Sequence, residues 1–189
     1  MMNRRAFLLA TGATTLSVVG PLGLLTRRGA GPRLLPGAEK VKIIDFTDDG
    51  KRKSAVSVEK VVKTEAEWQK QLTPESFDIT RHAGTERAFS GPLLNEHRKG
   101  VFRCICCDTA CYDSSTKFES GTGWPSFWAP IAKENIVETT DRSFGTVRTA
   151  ISCRRCDAHL GHVFDDGPQP TGLRYCMNSV ALRFAKATA

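Results

Sequence analysis

Seven cysteines and four histidines carry most of the chemistry available to this chain of 189 residues. Four of the cysteines fall into two matched units, Cys104-Ile-Cys-Cys107 and Cys153-Arg-Arg-Cys156, separated by 45 residues. Each unit stands at the end of a predicted strand, where a tight turn brings two thiolates onto one ion. Four thiolates suit tetrahedral zinc, with Zn–S near ~2.3 Å. An all-sulfur set leaves no open position, so this zinc is expected to be structural, clipping distant segments together. The rival reading makes the pairs disulfides, redox-active or structural, which an oxidising compartment favours. Cys106 and Cys111 lie near the first unit but do not share its two-residue spacing.

Cys176 stands far from any such pair, in Arg174-Tyr-Cys-Met-Asn-Ser179. A strand running from it toward the C-terminus would place Cys176, Asn178, Val180, Leu182 and Phe184 on one face by period-2 alternation. A cysteine at the mouth of such a strand, beside the positive charge of Arg174, has the setting of a thiolate nucleophile. The competing use is a buried structural thiol.

Three segments extend this pattern: Lys117-Phe-Glu-Ser-Gly-Thr-Gly-Trp-Pro-Ser-Phe127, Ala158-His-Leu-Gly-His162-Val-Phe-Asp-Asp-Gly167, and Arg174 to Ser179. With both Cys-x-x-Cys units, and with Thr64-Glu-Ala-Glu-Trp68 upstream, they resemble the class B methionine sulfoxide reductases, the peptide-methionine (R)-S-oxide reductases. Several long motifs in order are far more specific than any one short motif. The resemblance runs from Thr64 to Phe184. It implies a mainly β fold of antiparallel sheets with one structural zinc held by Cys104, Cys107, Cys153 and Cys156. It assigns the catalytic thiol to Cys176, active-site roles to His162, His159, Asn178 and Arg174, and the substrate pocket to Trp124 and Phe164.

The residue types suit that reaction. A sulfoxide sulfur is electrophilic, but its oxygen leaves only when protonated. The site needs a thiolate, a proton source and an apolar wall for the S-methyl group. Cys176 would become a sulfenic acid, with Arg174 and nearby histidines favouring the thiolate. His162 is the first choice for the acid, His159 the next. Asn178 would hydrogen-bond substrate or water, and Trp124 would present a flat wall. Against this, His-x-x-His can itself bind metal, and a lone Trp is often core. Four cysteines already complete one tetrahedral ion, and Gly123 and Pro125 favour a loop that displays Trp124.

One departure stands out. Many members of the family carry a resolving cysteine where this chain has Thr122. Cys111, and less readily Cys106, are the remaining candidates to resolve the sulfenic acid. Otherwise an external thiol reduces it directly. A disulfide to Cys176 needs Cα atoms within ~7 Å, which sequence does not report.

The elements that must position these groups are legible in outline. Val41 to Phe46 and Ala55 to Val61 flank the turn Asp48-Asp49-Gly50 and predict a β-hairpin. Thr64 and Glu67 form a capping box that opens a short helix through Trp68 to Leu72. Trp68 and Leu72, four apart, should pack inward. Ser76–Thr85 reads as loop, and His82 and His97 as surface residues without a role. Beyond Val101, short runs at Phe102–Ile105, Ile136–Thr140, Phe144–Ser152 and Asn178–Phe184 predict strands separated by long loops.

The formal charge of +7 suggests nucleic acid only at first sight. Five of those units come from Arg4, Arg5, Arg27, Arg28 and Arg33, where no acidic residue occurs. The remaining +2 carries no basic patch interleaved with aromatics, and no nucleic-acid partner is expected. Arg4-Arg5 before the uncharged run Ala6 to Thr26 resembles a twin-arginine export signal. Residues 1–38 are therefore set apart as leader and linker. Residues 39–189 form the catalytic domain, with 41–63 as the hairpin and 64–186 as the family core. The implied localisation is the bacterial periplasm or cell envelope, and the chain meets a membrane only if the leader is uncleaved.

The function expected is reduction of methionine-(R)-sulfoxide in oxidised proteins or peptides, with a thioredoxin-like or other dithiol reductant, by a monomer. The alternative is a non-catalytic zinc-ribbon interaction module, which leaves Arg174-Tyr-Cys-Met-Asn and His-Leu-Gly-His unexplained. A zinc hydrolase or deaminase would need an open metal position and a glutamate base beside the ligands, and the sequence offers neither.

Overall fold

Alternating and β-branched runs dominate the chain, and a computed structural model, which describes residues 39–188, arranges them in three antiparallel sheets. Among the described residues no helix is long and apolar enough to cross a membrane. The twin-arginine stretch lies outside the described residues.

Strands β1 (Lys40–Phe46) and β2 (Arg52–Glu59) pair as a hairpin across the Asp48–Gly50 turn. The inner face of β1 buries Ile44 and Phe46 against Val101, Ala110 and Ala132. A buried amide fastens it there: Asn135 Nδ2 donates to the carbonyls of Ile44 and Ala110, and its Oδ1 accepts from Ile44 N at 2.7 Å. Three such bonds on one buried side chain leave little desolvation uncompensated. Arg103 adds a second tie, donating to the Phe46 carbonyl at 2.8 Å and to Asp48.

Helix α1 (Glu65–Gln71) begins as its capping box dictates. Thr64 Oγ1 accepts from Glu67 N, and the Glu67 carboxylate accepts from Thr64 N at 2.8 Å. Trp68 and Leu72 are both buried. The next segment corrects the loop expected over Ser76–Thr85, because α2 spans Pro74–His82. Thr73 caps it by accepting from Ser76 N, and Pro74 supplies a pre-set φ at the first turn. Ser76, Phe77, Ile79 and Thr80 bury one side. Polar Ser76 and Thr80 blurred that face in the sequence; Thr80 donates back to Ser76 O within the helix, and Ser76 donates to the distant carbonyl of Val180.

A three-stranded sheet in the order β11-β3-β4 contains β3 (Gly100–Cys104), β4 (Ala110–Asp113) and β11 (Leu182–Lys186). The larger sheet has the order β5-β6-β10-β9-β8-β7. Its strands are β5 (Lys117–Phe118), β6 (Ser126–Phe127), β7 (Ile136–Asp141), β8 (Arg148–Cys153), β9 (His159–Phe164) and β10 (Arg174–Met177). Strand β8 starts later than the run Phe144–Ser152 suggests, since a 3-10 turn occupies Ser143–Gly145. Between the sheets Phe102, Tyr112, Phe127 and Tyr175 form a buried aromatic cluster, with Tyr112 stacked on Phe127 at 4.5 Å.

The single strand expected from Cys176 to Phe184 is two strands in different sheets. After Met177 the chain makes a 3-10 turn at Ser179–Ala181 and crosses to β11. The cause is a buried carboxylate: Glu86 accepts from Ser179 N at 2.7 Å and from Val180 N at 3.1 Å. Those amides are thereby withdrawn from any ladder.

Candidate active site and metal centre

The two Cys-x-x-Cys units fold into near-identical knuckles. Cys104 ends β3 and Cys153 ends β8. In each, the residue four positions on donates its N–H back to the first cysteine's carbonyl, Asp108 to Cys104 and Asp157 to Cys153, both at 2.9 Å. Asp108 and Asp157 both take positive φ, +67° and +56°. Aspartate is among the few non-glycine residues that tolerate this. The sulfurs of Cys104, Cys107, Cys153 and Cys156 lie within 4.8 Å of one another. Four convergent thiols with no carboxylate or histidine among them fit a closed tetrahedral zinc site. Arg155 bridges the knuckles, donating to Cys107 O, and the hairpin reaches the second knuckle through Val61 N to Arg155 O and the Lys60–Asp157 ion pair.

The second constellation forms on one face of the large sheet. Residues directly opposite one another in an antiparallel ladder project to the same side. The register sets Ser126 opposite Cys176, Cys176 opposite His162, and His162 opposite Ala150. Two residues along, Arg174 faces Phe164. Tyr175, Met177 and Phe127 point the other way, into the core. Period-2 alternation thus delivers the Arg-x-Cys pair to the surface of the sheet.

A cleft of about 120 Å³ opens over this face, lined by Thr85, Trp124, His162, Phe164, Cys176 and Asn178 among others. That is well below the ~300 Å³ at which drug-sized pockets begin, and it suits the end of a side chain. Gly161, between the two histidines, also lines it. A Cβ there would collide with the Cys176 carbonyl, so only glycine lets β9 approach β10 this closely. Trp124 is displayed by the turn ending at Gly123 (φ +90°), and its Nε1 donates to Glu86 O at 3.1 Å.

Each polar group has a partner that orients it. His162 Nε2 lies 2.8 Å from an Asp141 carboxylate oxygen. Asp141 itself is held far below the usual carboxylate range, first by Ser143 and then by His162. Arg174 makes a two-pronged bond to Asp166, both contacts at 2.8 Å, and its guanidinium stacks over Phe164 at 4.5 Å. Asn178 Oδ1 accepts from Glu86 N and its Nδ2 donates to Leu160 O. Glu86 therefore organises both walls: its backbone holds Trp124 and Asn178, and its carboxylate fixes the turn after Asn178. Burial pushes its pKa up.

His159 lies behind His162, ring edge to face at 5.2 Å, and lines an adjoining cleft rather than the one at Cys176. Burial lowers its pKa to about 4, so it is neutral at pH 7. Its Nε2 is buried without a partner among the described residues. For Cys176, burial pushes the thiol up and outweighs the opposing effects of Arg174, Thr122 and Ser126. Arg174 acts in the expected direction, favouring the thiolate, but burial outweighs it. Cys106 and Cys111 sit with the metal cluster, where Cys111 is fully buried and donates to Thr109 O at 3.3 Å. Thr122 Oγ1 is the group found 3.9 Å from Cys176 Sγ. Asp141, Asp166 and Glu86 had no role assigned by the sequence. Their contacts with His162, Arg174 and Ser179 span 21, 8 and 93 positions, so no short spacing marks them.

Comparison with known proteins adds the following. Residues 72–186 match the SelR domain family. The chain is 53% identical over 126 residues to "Peptide methionine sulfoxide reductase MsrB" of Herminiimonas arsenicoxydans, covering 67% of this chain and 92% of that protein. The proteins of the same name from Pseudomonas putida (strain W619) and Hahella chejuensis (strain KCTC 2396) are each 55% identical, over 127 and 130 residues. Those alignments cover 67% and 69% of this chain, and 96% and 94% of the relatives.

Proposed function

The chain belongs to the SelR domain family, and from that membership we propose that it reduces methionine-(R)-sulfoxide in peptides and proteins through a Cys176 sulfenic acid. The observation that carries the reading is the small cleft in which Cys176, His162, Asn178, Trp124 and Phe164 meet. A non-catalytic interaction module gives that cleft no purpose.

In this reading the S-methyl group packs on Trp124 and Phe164. The Cys176 thiolate attacks the sulfoxide sulfur while His162, oriented by Asp141, protonates the departing oxygen. The oxygen is transferred to Cys176, leaving Cys176–SOH and the thioether. Two external thiols then return Cys176 to the thiol, releasing one disulfide and one water. Thr122 cannot form a disulfide, and Cys106 and Cys111 are held at the metal cluster. Direct attack by an external thiol, from a thioredoxin-like protein or another dithiol, is accordingly preferred to an internal resolver. Asn178 keeps one amide hydrogen for substrate or water. Arg174, neutralised in part by Asp166, supplies a positive field that opposes the effect of burial when Cys176 ionises. His159 supports His162 from behind as a neutral ring. Zinc would be held by Cys104, Cys107, Cys153 and Cys156 and would serve to hold the two knuckles together. Export through the twin-arginine route would place the enzyme in the cell envelope, repairing oxidised proteins there as a monomer.

The test uses purified chain, a chemical dithiol and separated (R)- and (S)-sulfoxide peptides. Turnover of the (R) form, lost in Cys176→Ser, is expected. Turnover of the (S) form alone, or full activity in Cys176→Ser, overturns the reading.

A further inference from the structure

Three hydroxyls stand between Cys176 and the Trp124 turn. Thr122 Oγ1 is 3.9 Å from Cys176 Sγ, Ser120 Oγ is 2.8 Å from Thr122 Oγ1, and Ser126 Oγ is 2.8 Å from Ser120 Oγ. Ser126 ends the series by donating to Trp124 O at 3.2 Å. Ser126 is wholly buried and lies opposite Cys176 in the β6–β10 ladder. We propose that Ser120, Thr122 and Ser126 form a reversible hydroxyl chain, which accepts a hydrogen bond from the Cys176 thiol and, after Cys176 ionises, turns to donate one to the thiolate.

Each hydroxyl has one hydrogen to give and can accept as well, so the direction of such a chain is set at its ends. With Ser126 donating to Trp124 O, Ser120 donates to Ser126 and Thr122 to Ser120. Thr122 is left with a lone pair for the Cys176 S–H. When the thiol proton has left to solvent, all three hydroxyls rotate. Ser126 then releases Trp124 O and donates to Ser120, Ser120 donates to Thr122, and Thr122 donates to the sulfur anion. No proton passes along the chain; only O–H directions change. The Thr122 backbone N–H, 3.4 Å from Ser120 Oγ, donates to that oxygen in either state. The contact from Thr122 already opposes the effect of burial on Cys176.

The other groups facing Cys176 stay constant while the chain is altered. Arg174 is on its own strand with Asp166 behind it, His162 is across on β9 with Asp141 and His159 behind it, and Arg148 lines the cleft from β8. Residues 120–126 bring no charge. The inference takes Cys176 as the reacting thiol, as proposed above. Its test reads ionisation and not turnover, so the two can fail separately.

The experiment is the pH dependence of iodoacetamide alkylation at Cys176, followed by mass spectrometry of its peptide in the full metal-loaded chain. Thr122→Val should raise the midpoint by roughly one pH unit, the scale of one lost hydrogen bond to a charged sulfur. Ser120→Ala, which does not touch Cys176, should raise it in the same direction, and Thr122→Ser should restore the wild-type midpoint. Unchanged midpoints in Thr122→Val and Ser120→Ala overturn the proposal. A shift in Thr122→Val with none in Ser120→Ala also overturns it, reducing the chain to a single contact. Should Thr122→Val fail to fold, Ser120→Ala decides alone: a raised midpoint supports the chain and an unchanged one overturns it.

Discussion

The metal cluster and the Cys176 cleft both gather sulfur chemistry, but they are assembled differently. Each metal knuckle is made within five consecutive residues, Cys104 to Asp108 and Cys153 to Asp157, and only the meeting of the two is long-range. The cleft draws on Thr85, Trp124, Arg148, the β9 histidine motif and β10. The cluster buries three of its four thiols; the cleft keeps one thiol reachable. The first arrangement makes stability from cysteine, the second makes reactivity, and the two should be separable by mutation.

The largest separation is expected from Cys153→Ser or Cys156→Ser. Loss of a structural metal site costs several kcal/mol, so the melting temperature should fall by about 10–20 °C. Metal analysis should find about one zinc per wild-type chain and none in the variants. Retained zinc would break the comparison. Cys176→Ser should do the reverse, with turnover down by at least about 10³-fold while zinc content and melting temperature hold. A loss of zinc in Cys176→Ser would show that the regions are one unit.

Acid should act on the cleft side through His159. Its folded pKa of about 4 lies below the reference value of 6.5. The unfolded chain therefore binds the proton first as pH falls. The contribution to stability is full above pH 6.5 and is lost progressively toward pH 4, by about 3 kcal/mol at most. Denaturant titrations across that window should show a flatter dependence in His159→Gln. An equal slope would remove His159 as the cause. Asp141→Asn should lower kcat about tenfold through loss of the His162 contact, with zinc unaffected. The smallest change expected is in Thr122→Cys. It places a thiol beside Cys176, and one cycle with substrate should leave an internal disulfide, seen as the loss of two hydrogens by mass. A lasting sulfenic acid in that variant would show that the residue 122 side chain does not reach.

The two regions also differ in how far they could be read from the chain. Both Cys-x-x-Cys units, the capping box at Thr64 and the hairpin at 41–61 are local devices, and local spacing reveals them. Helix α2 was hidden because Ser76 and Thr80 sit on its buried side, where their hydroxyls bond to carbonyls. The β10–β11 break was hidden because its cause, Glu86, is 93 positions from Ser179.

By itself the sequence determined which residue types could react: four paired thiols for an ion, one lone thiol beside an arginine, and two histidines three positions apart. These follow from identity and short spacing, which chain connectivity fixes. Only the tertiary structure decided that Asp141 holds His162, that Asp166 holds Arg174, and that Glu86 holds both Trp124 and Asn178. It also decided that burial outweighs Arg174 at Cys176, and that Thr122 brings a hydroxyl, not a thiol, to its sulfur. Those outcomes depend on desolvation and on contacts between distant strands, and neither is set until the sheets have paired.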